Sequence, residues 1–401
     1  MEINHTQKYI TMTIRIANRL SQVEEYYFSK KLAEVAQLKA EGADIINLGI
    51  GSPDLPPHPD VREALVSASS QTGSNHYQSY RGLESFRQEI ANWYKSVYKV
   101  SLNPTNQILP LMGSKEGIMH VSMAFCNPGE TVLVPNPCYP AYLSAAKLLN
   151  INLKFYNLKE ENNWLPDMEE IESLCDDSCR MIWTNYPHMP TGANGNIEIF
   201  KQLVDLAKKK NILVVNDNPY SLILNDKPES LLQVEGVSEY VLEMNSLSKS
   251  HNMAGFRVGM LCGSETNINH VLKVKSNFDS GMYKPIQLAA SKALALDSSW
   301  YKELNASYKK RRDLVWELAD KLNCQYKKDS VGMFVWARIP EQFESGEAFS
   351  DHLLYNKNVF ATPGIVFGQE GKKYIRFSLC ATEESITKSI ERCETLVEAT
   401  L

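Results

Sequence analysis

The stretch "NSLSKSHNMAGFRVG", Asn245–Gly259, sets a lysine among three serines, directly after an apolar run, with an arginine eight positions on. An ammonium where the chain leaves a buried strand is costly, so the amine of Lys249 needs a chemical reason to be there. Ser246, Ser248 and Arg257 add two hydroxyls and a second cation; taken singly they read as a solvated loop. In "VVNDNPYSL" a strand ends on Asp217, with Tyr220 three residues later. A carboxylate there calls for a cationic partner, with a cap or turn role the commoner reading of a lone aspartate at a strand end. In "PLMGSKEGIMHVSMAFCNPG", Gly113, Ser114 and Lys115 open a helix that stops at Asn127-Pro128-Gly129. Free backbone N–H groups and the positive end of the helix suit a phosphate, with Ser114 as a plain N-cap the simpler alternative.

The elements around these residues have a clear texture. "TVLVP" (131–135), "MIWTN" (181–185), "ILVVND" (212–217), "YVLEMNS" (240–246) and "GMLCG" (259–263) read as buried strands. "IEIFKQLVDLAKKK" puts Ile199, Leu203 and Leu206 on one stripe and gathers lysines at its C-terminal end, as an amphipathic helix does. Apolar strands alternating with helices imply an α/β unit with a mostly parallel sheet covered on both faces. Ligands collect where the strands of such a sheet end. Beyond Ser280 come long helical patterns, then "VGMFVWARI", "VFATPG" and "KYIRFSL", strands of a smaller α+β unit. The first forty residues are helical in pattern and are expected to pack with that C-terminal part. The expected plan is a large domain over 52–285 and a discontinuous small domain made of 1–51 and 286–401.

At 401 residues, two domains are the default. A net charge of −5 argues against a general nucleic-acid binder, though not against a small anion in a basic pocket. The eight cysteines are scattered, with only Cys175 and Cys179 close, which reads as reduced thiols rather than zinc ligands. No stretch is long and apolar enough for a membrane span, and the N-terminal residues lack a signal peptide's apolar core. A cytoplasmic location is the expectation.

Seven segments in order, "GIGSPD", "YQSYRGLESFRQEIA", "NPCYPAY", "PHMPTG", "DNPY", "SLSKSHNMAGFRVG" and "YIRFSL", resemble the class I/II aminotransferases. These are fold-type I enzymes dependent on pyridoxal 5′-phosphate (PLP), and the resemblance spans nearly the whole chain. It implies a seven-stranded, mostly parallel sheet in the large domain. It implies that Lys249 forms an imine with the cofactor aldehyde, which answers why an amine sits there. Asp217 matches the acid that binds the pyridine nitrogen and keeps the ring electron-withdrawing, and Tyr220 the phenol on the 3′ oxygen. Ser114, Lys115, Ser246, Ser248 and Arg257 match the phosphate cradle, with Arg257 bidentate. Tyr139 matches the aromatic stacked on the ring. Tyr77 matches a tyrosine that reaches the phosphate from the neighbouring subunit, so a homodimer is implied. Arg376 matches the arginine for the substrate α-carboxylate, and Gly51 a backbone contact to the same substrate.

One position departs from the family. The usual Asn-Pro-Thr-Gly is here "MPTG", with Met189 in the asparagine's place. That amide normally donates to the 3′ oxygen and helps hold the arginine; a thioether donates nothing. The expectation is a raised imine pKa and a slower reaction, by about 2–4 kcal/mol at most. Asn185 is not expected to replace the missing amide. The resemblance implies transamination by a ping-pong route between an L-amino acid and a 2-oxo acid. "LMGSKEGIMH", "VLVPNPCYPAYLSAA" and "SNFDSGMYKPIQLAA" are most similar to the branch of LL-diaminopimelate aminotransferases and their relatives. No second arginine marks a dicarboxylate pocket, and Lys115 is the one alternative for an acidic group. Tyr283, in "FDSGMY", is expected near the partner's site. A carbon–sulfur β-lyase shares every cofactor residue and is the alternative activity. A non-catalytic PLP-binding regulator is less well supported, since some forty residues before "IINLGIGSPD" are too few for a DNA-binding domain.

Overall fold

The computed structural model describes residues 14–22, 27–236 and 238–394. Its centre is a seven-stranded sheet: β1 (Ile108–Leu111), β2 (Thr131–Asn136), β3 (Asn152–Asn157), β4 (Cys179–Thr184), β5 (Leu213–Asp217), β6 (Val241–Ser246) and β7 (Gly259–Gly263). The spatial order is β1-β7-β6-β5-β4-β2-β3. Strands β2 to β6 run parallel, and β7 is antiparallel to both neighbours. The five apolar runs therefore became strands within a residue or two of their expected bounds. Two strands escaped that reading, and both lie at sheet edges. β1 carries Pro110, which an edge tolerates because no ladder bond is lost on the open side. β3 mixes polar and apolar residues because its outer side meets solvent.

Helices cover both faces. α1 (Tyr27–Ala40), α2 (Glu84–Tyr98), α3 (Ser114–Phe125), α4 (Ala141–Leu149), α5 (Ile197–Lys210), α6 (Lys284–Leu294) and α7 (Ser298–Lys321) are those that matter below. α3 and α4 pack Ile118, Val121, Tyr142 and Ala145 against Val134, Trp183, Val215 and Met244 of the sheet. On the opposite face α5 packs Phe200, Leu203 and Val204 against Ile182, Val214 and Val241. There α2 and α6 bring Phe86, Ile90, Ala289 and Ala290 to Ile108, Met260 and Cys262. α5 begins at an Asn196 cap and ends in Lys208, Lys209 and Lys210 before Asn211 in the left-handed region, which matches the expected dipole arrangement.

A second, antiparallel sheet is built around β8 (Phe334–Arg338) and β9 (Tyr374–Ser378), with Trp336 opposite Arg376. The short strands Gln325–Tyr326 and Thr362–Pro363 flank it. Ile46–Asn47 pairs in parallel with Val359–Phe360, and Val35, Ile45, Leu354 and Phe360 share one small core. Val35 and Ile45–Asn47 thus pack with the C-terminal part, while residues 1–13 and 23–26 of the expected N-terminal unit lie outside the described residues. No described helix is long and apolar enough to cross a membrane.

Candidate active site

The C-terminal ends of β4, β5 and β6, the loop entering β7 and the start of α3 all open on one edge of the large sheet. Facing them across a cavity of about 520 Å³ are β9 and the segment after Asn47. That volume suits a cofactor with a small substrate. Gly51, Ser114, Lys115, Tyr139, Met189, Asp217, Tyr220, Ser246, Ser248, Lys249, Arg257 and Arg376 all line it. Tyr77 does not. It lies in an extended loop with 90% of its surface exposed.

Lys249 sits in the one-turn helix Leu247–Ser250 that leaves β6. Its Nζ donates to Gly51 O at 2.6 Å. Burial, helped by the guanidinium groups of Arg376 and Arg257 and opposed by Cys380, lowers its pKa to about 8. An amine so depressed is readily available in the neutral, nucleophilic form. The serine before it begins the helix, with Ser246 Oγ accepting from Ser248 N at 3.2 Å and donating to Ser248 Oγ at 2.9 Å.

Asp217 is 4% exposed and has no cationic partner among the described residues. Tyr142 donates its phenolic O–H to Oδ2 at 3.0 Å, while Oδ1 is buried with no partner at all. Burial, offset by the Tyr142 hydrogen bond, pushes its carboxyl up to about 7. None of the described residues supplies the cation that this carboxylate calls for. Asn185 Nδ2 donates to the Asp217 carbonyl, and Asn185 Oδ1 accepts from Met189 N at 2.9 Å. The oxygen and one N–H of that amide are thus engaged by backbone, which leaves a single N–H on a residue that also lines the cavity.

The phosphate-type cradle differs from the simplest reading in one respect. Gly113, not Ser114, occupies the N-cap of α3, with φ 85°, and no side chain caps the helix. Ser114 stands one position inside, its hydroxyl at the cavity wall. Glycine suits this left-handed position, and a Cβ there would fall 2.0 Å from Arg257 Nη2 and displace the guanidinium. Arg257, itself at φ 55°, donates from Nη1 to Ala254 O at 2.9 Å and has no acidic partner. A guanidinium, helix-start N–H groups and three hydroxyls around one pocket end match an oxyanion of high charge.

Arg376, only 6% exposed, reaches in from β9. Its guanidinium carbon lies 4.1 Å from the Phe334 ring centroid and 4.7 Å from that of Phe367. Nη2 donates to Gly49 O at 2.8 Å and Nη1 to Met189 Sδ at 3.3 Å, while Nε has no partner. Burial lowers its pKa to about 10, which still leaves it charged at neutral pH. A buried cation without a carboxylate is a receptor for one. Gly51 must be glycine, because a Cβ would meet Phe334 Cζ at 2.6 Å. Phe334, Phe367 and Tyr142 were not found from sequence. The alternation of Phe334 and Trp336 on the strand paired with Arg376 was the available signal.

An aldehyde-reactive amine, an acid lacking its cation, and an oxyanion cradle together fit PLP. The sequence pattern of the family described as aminotransferase class I and II matches residues 43–392. The chain belongs to that family. It is 38% identical over 95% of its length to the LL-diaminopimelate aminotransferase of Oleidesulfovibrio alaskensis, of which 99% is covered. The enzyme of that name from Aquifex aeolicus is 36% identical, with 95% of this chain and 98% of the relative covered. Among solved structures, substrate-bound BacF from Bacillus subtilis superposes with a TM-score of 0.92 at 33% identity, covering 96% of this chain and 98% of that one. The protein is a PLP-dependent aminotransferase.

Proposed function

We propose that this aminotransferase moves the α-amino group of an L-amino acid to a 2-oxo acid by a ping-pong route, with the substrate α-carboxylate held by Arg376. The observation that carries this reading is a buried guanidinium without an anion, facing the same cavity as Lys249 and Asp217. When bound, the cofactor supplies an aldehyde for covalent capture of the amino group and a ring that withdraws electrons from the substrate's Cα. Asp217 Oδ1, buried and without a partner among the described residues, would hold the cofactor's pyridine N–H, a pairing that would offset the desolvation raising its carboxyl. Ser114, Lys115, Ser246, Ser248 and Arg257 would hold the phosphate, Tyr139 would cover the ring and Tyr220 would donate to its 3′ oxygen. Lys249 Nζ, facing the same cavity, would take the proton from the substrate's Cα and hand it back. Met189 lines the ring side of Arg376 as an acceptor only.

Tyr77 contributes to the phosphate site of a second copy, which makes a homodimer the working unit; its exposure and its distance from its own cavity support this. The protein acts in the cytoplasm, on small-molecule substrates. The relatives' name makes LL-diaminopimelate the first amino donor to assay, beside methionine, an aromatic amino acid and aspartate. The experiment is a half-reaction screen, following the bound cofactor's absorbance as each amino acid is added without an acceptor. Rapid loss with at least one donor, recovered on adding a 2-oxo acid, is expected. Pyruvate and ammonia released from cystathionine with no acceptor present would replace this reading with a β-lyase.

A further inference from the structure

Behind the site, on the far face of the sheet, β6 buries an acid that has no assigned role. Glu243 is 0% exposed and forms no ion pair among the described residues. Four neutral donors converge on it. Ser230 Oγ and Tyr94 OH donate to Oε1 at 2.7 and 3.2 Å, and Leu231 N and Asn216 Nδ2 to Oε2 at 2.9 and 3.1 Å. A buried carboxyl that served packing alone would be destabilising relative to an apolar side chain, so so complete a shell invites another explanation.

The donors come from places that matter. Asn216 is the residue before Asp217, opposite Glu243 in the β5–β6 ladder. Strand alternation sends Val215 and Asp217 toward α3 and α4, and Asn216 toward the other face. The same Asn216 accepts at Oδ1 from Tyr186 N at 3.0 Å and from Thr184 Oγ1 at 3.1 Å, tying in the end of β4. Ser230 and Leu231 close the loop that begins with Asp217 and carries Tyr220. Glu243 thus grips both ends of the segment that presents the cofactor-facing acid and phenol. We propose that Glu243 is a positioning residue for Asp217, clamping that segment from the far face of the sheet and placing a fixed negative charge behind the cofactor ring.

The other titratable groups around Glu243 are Tyr94 and Tyr98 from α2, Cys262 from β7 and Asp217 itself. Burial keeps both tyrosines and the thiol protonated. Glu243 and Asp217 are then the only members of this cluster able to carry charge near neutral pH. Burial raises the Glu243 pKa while its four donors lower it, and its charge in turn helps raise Asp217. That charge favours the protonated, cationic form of the cofactor held opposite Asp217.

This inference rests on PLP being held by Lys249 and Asp217. Glu243→Gln separates charge from shape. The Gln carbonyl can take the place of Oε2 for Asn216 and Leu231, and its NH₂ can donate to the Ser230 and Tyr94 hydroxyls, which turn to accept. The test is a pH titration of the bound cofactor's visible absorbance in the holoenzyme. The midpoint should fall by about half a unit or more in Glu243→Gln, the size of a like-charge effect from a neighbouring strand. Ser230→Ala, which removes one donor and favours the neutral acid, should move it the same way by less. An unchanged midpoint in Glu243→Gln overturns the proposal. Should that variant not fold, an unchanged midpoint in Ser230→Ala does so. A wild-type protein that stays colourless with PLP overturns the reading of the site itself, whatever the variants do.

Discussion

Arg376→Lys keeps the charge and removes the fork. The guanidinium carbon lies over the Phe334 and Phe367 rings, with centroids at 4.1 and 4.7 Å. A carboxylate meeting it gains two parallel charge-assisted hydrogen bonds; a lysine ammonium on a shorter, flexible stem offers one point contact. Losing one such bond costs about 1.5–3 kcal/mol. Losing part of the stacking on two rings adds about 0.5–1 kcal/mol. The sum, about 2–4 kcal/mol, corresponds to roughly 30- to 900-fold weaker half-saturation by the amino acid. The assay is single-turnover loss of cofactor absorbance against amino-acid concentration, with a primary amine lacking a carboxylate as control. The control should be captured equally well by both proteins, because Arg376 lies away from the phosphate cradle. A change below about threefold for the amino acid, or an equal loss for the amine, would refute the assignment of the carboxylate to Arg376.

Three further outcomes are expected. Met189→Asn restores a donor beside the 3′ oxygen, so the imine pKa should fall in a spectral titration and the half-reaction should quicken, by about 2–4 kcal/mol at most; an unchanged pKa would dismiss the account of this position. Gly113→Ala sets a Cβ 2.0 Å from Arg257 Nη2 at a φ of +85°, so PLP affinity should drop by about tenfold or more in equilibrium dialysis, with little change in amino-acid half-saturation. Asp217 titrates at about 7 when folded and 3.8 in the unbound reference, so the folded state holds the extra proton between those values and stability is lost as pH rises through that window. Cofactor-free Asp217→Asn should therefore melt above the wild type near pH 8, with the gap closing toward about pH 4, while its hold on PLP weakens; equal melting temperatures at both pH values would contradict the buried, unpartnered acid.

How far these residues could be read in advance depends on how they are joined. Ser246, Ser248, Lys249 and Arg257 lie within a dozen positions, across one strand end, one turn of helix and one loop. Covalent geometry alone keeps such residues together, and the same holds for Asp217 with Tyr220. The central strands were legible because burial on both faces leaves an uninterrupted apolar run. β1 and β3 were not, since edge strands carry proline or polar residues without penalty. The cap of α3 was misplaced by one residue, because glycine there answers to Arg257, a contact made across 144 positions of chain.

The sequence by itself picked out the set proposed to react: the amine, the acid, the cradle and the arginine proposed for the substrate carboxylate, together with the methionine that breaks the family pattern. Tertiary structure alone decided that Arg376 lies against the Phe334 and Phe367 rings, that the Asn185 oxygen and one of its N–H groups are engaged by backbone, that Asp217 keeps one oxygen unpaired among the described residues, and that Glu243 stands behind it. It also decided that Tyr77 is exposed and does not line its own cavity. The physical reason is range. A motif specifies what neighbours in the chain can reach, whereas burial, desolvation and the loss of a partner come from elements packed together from distant parts of it.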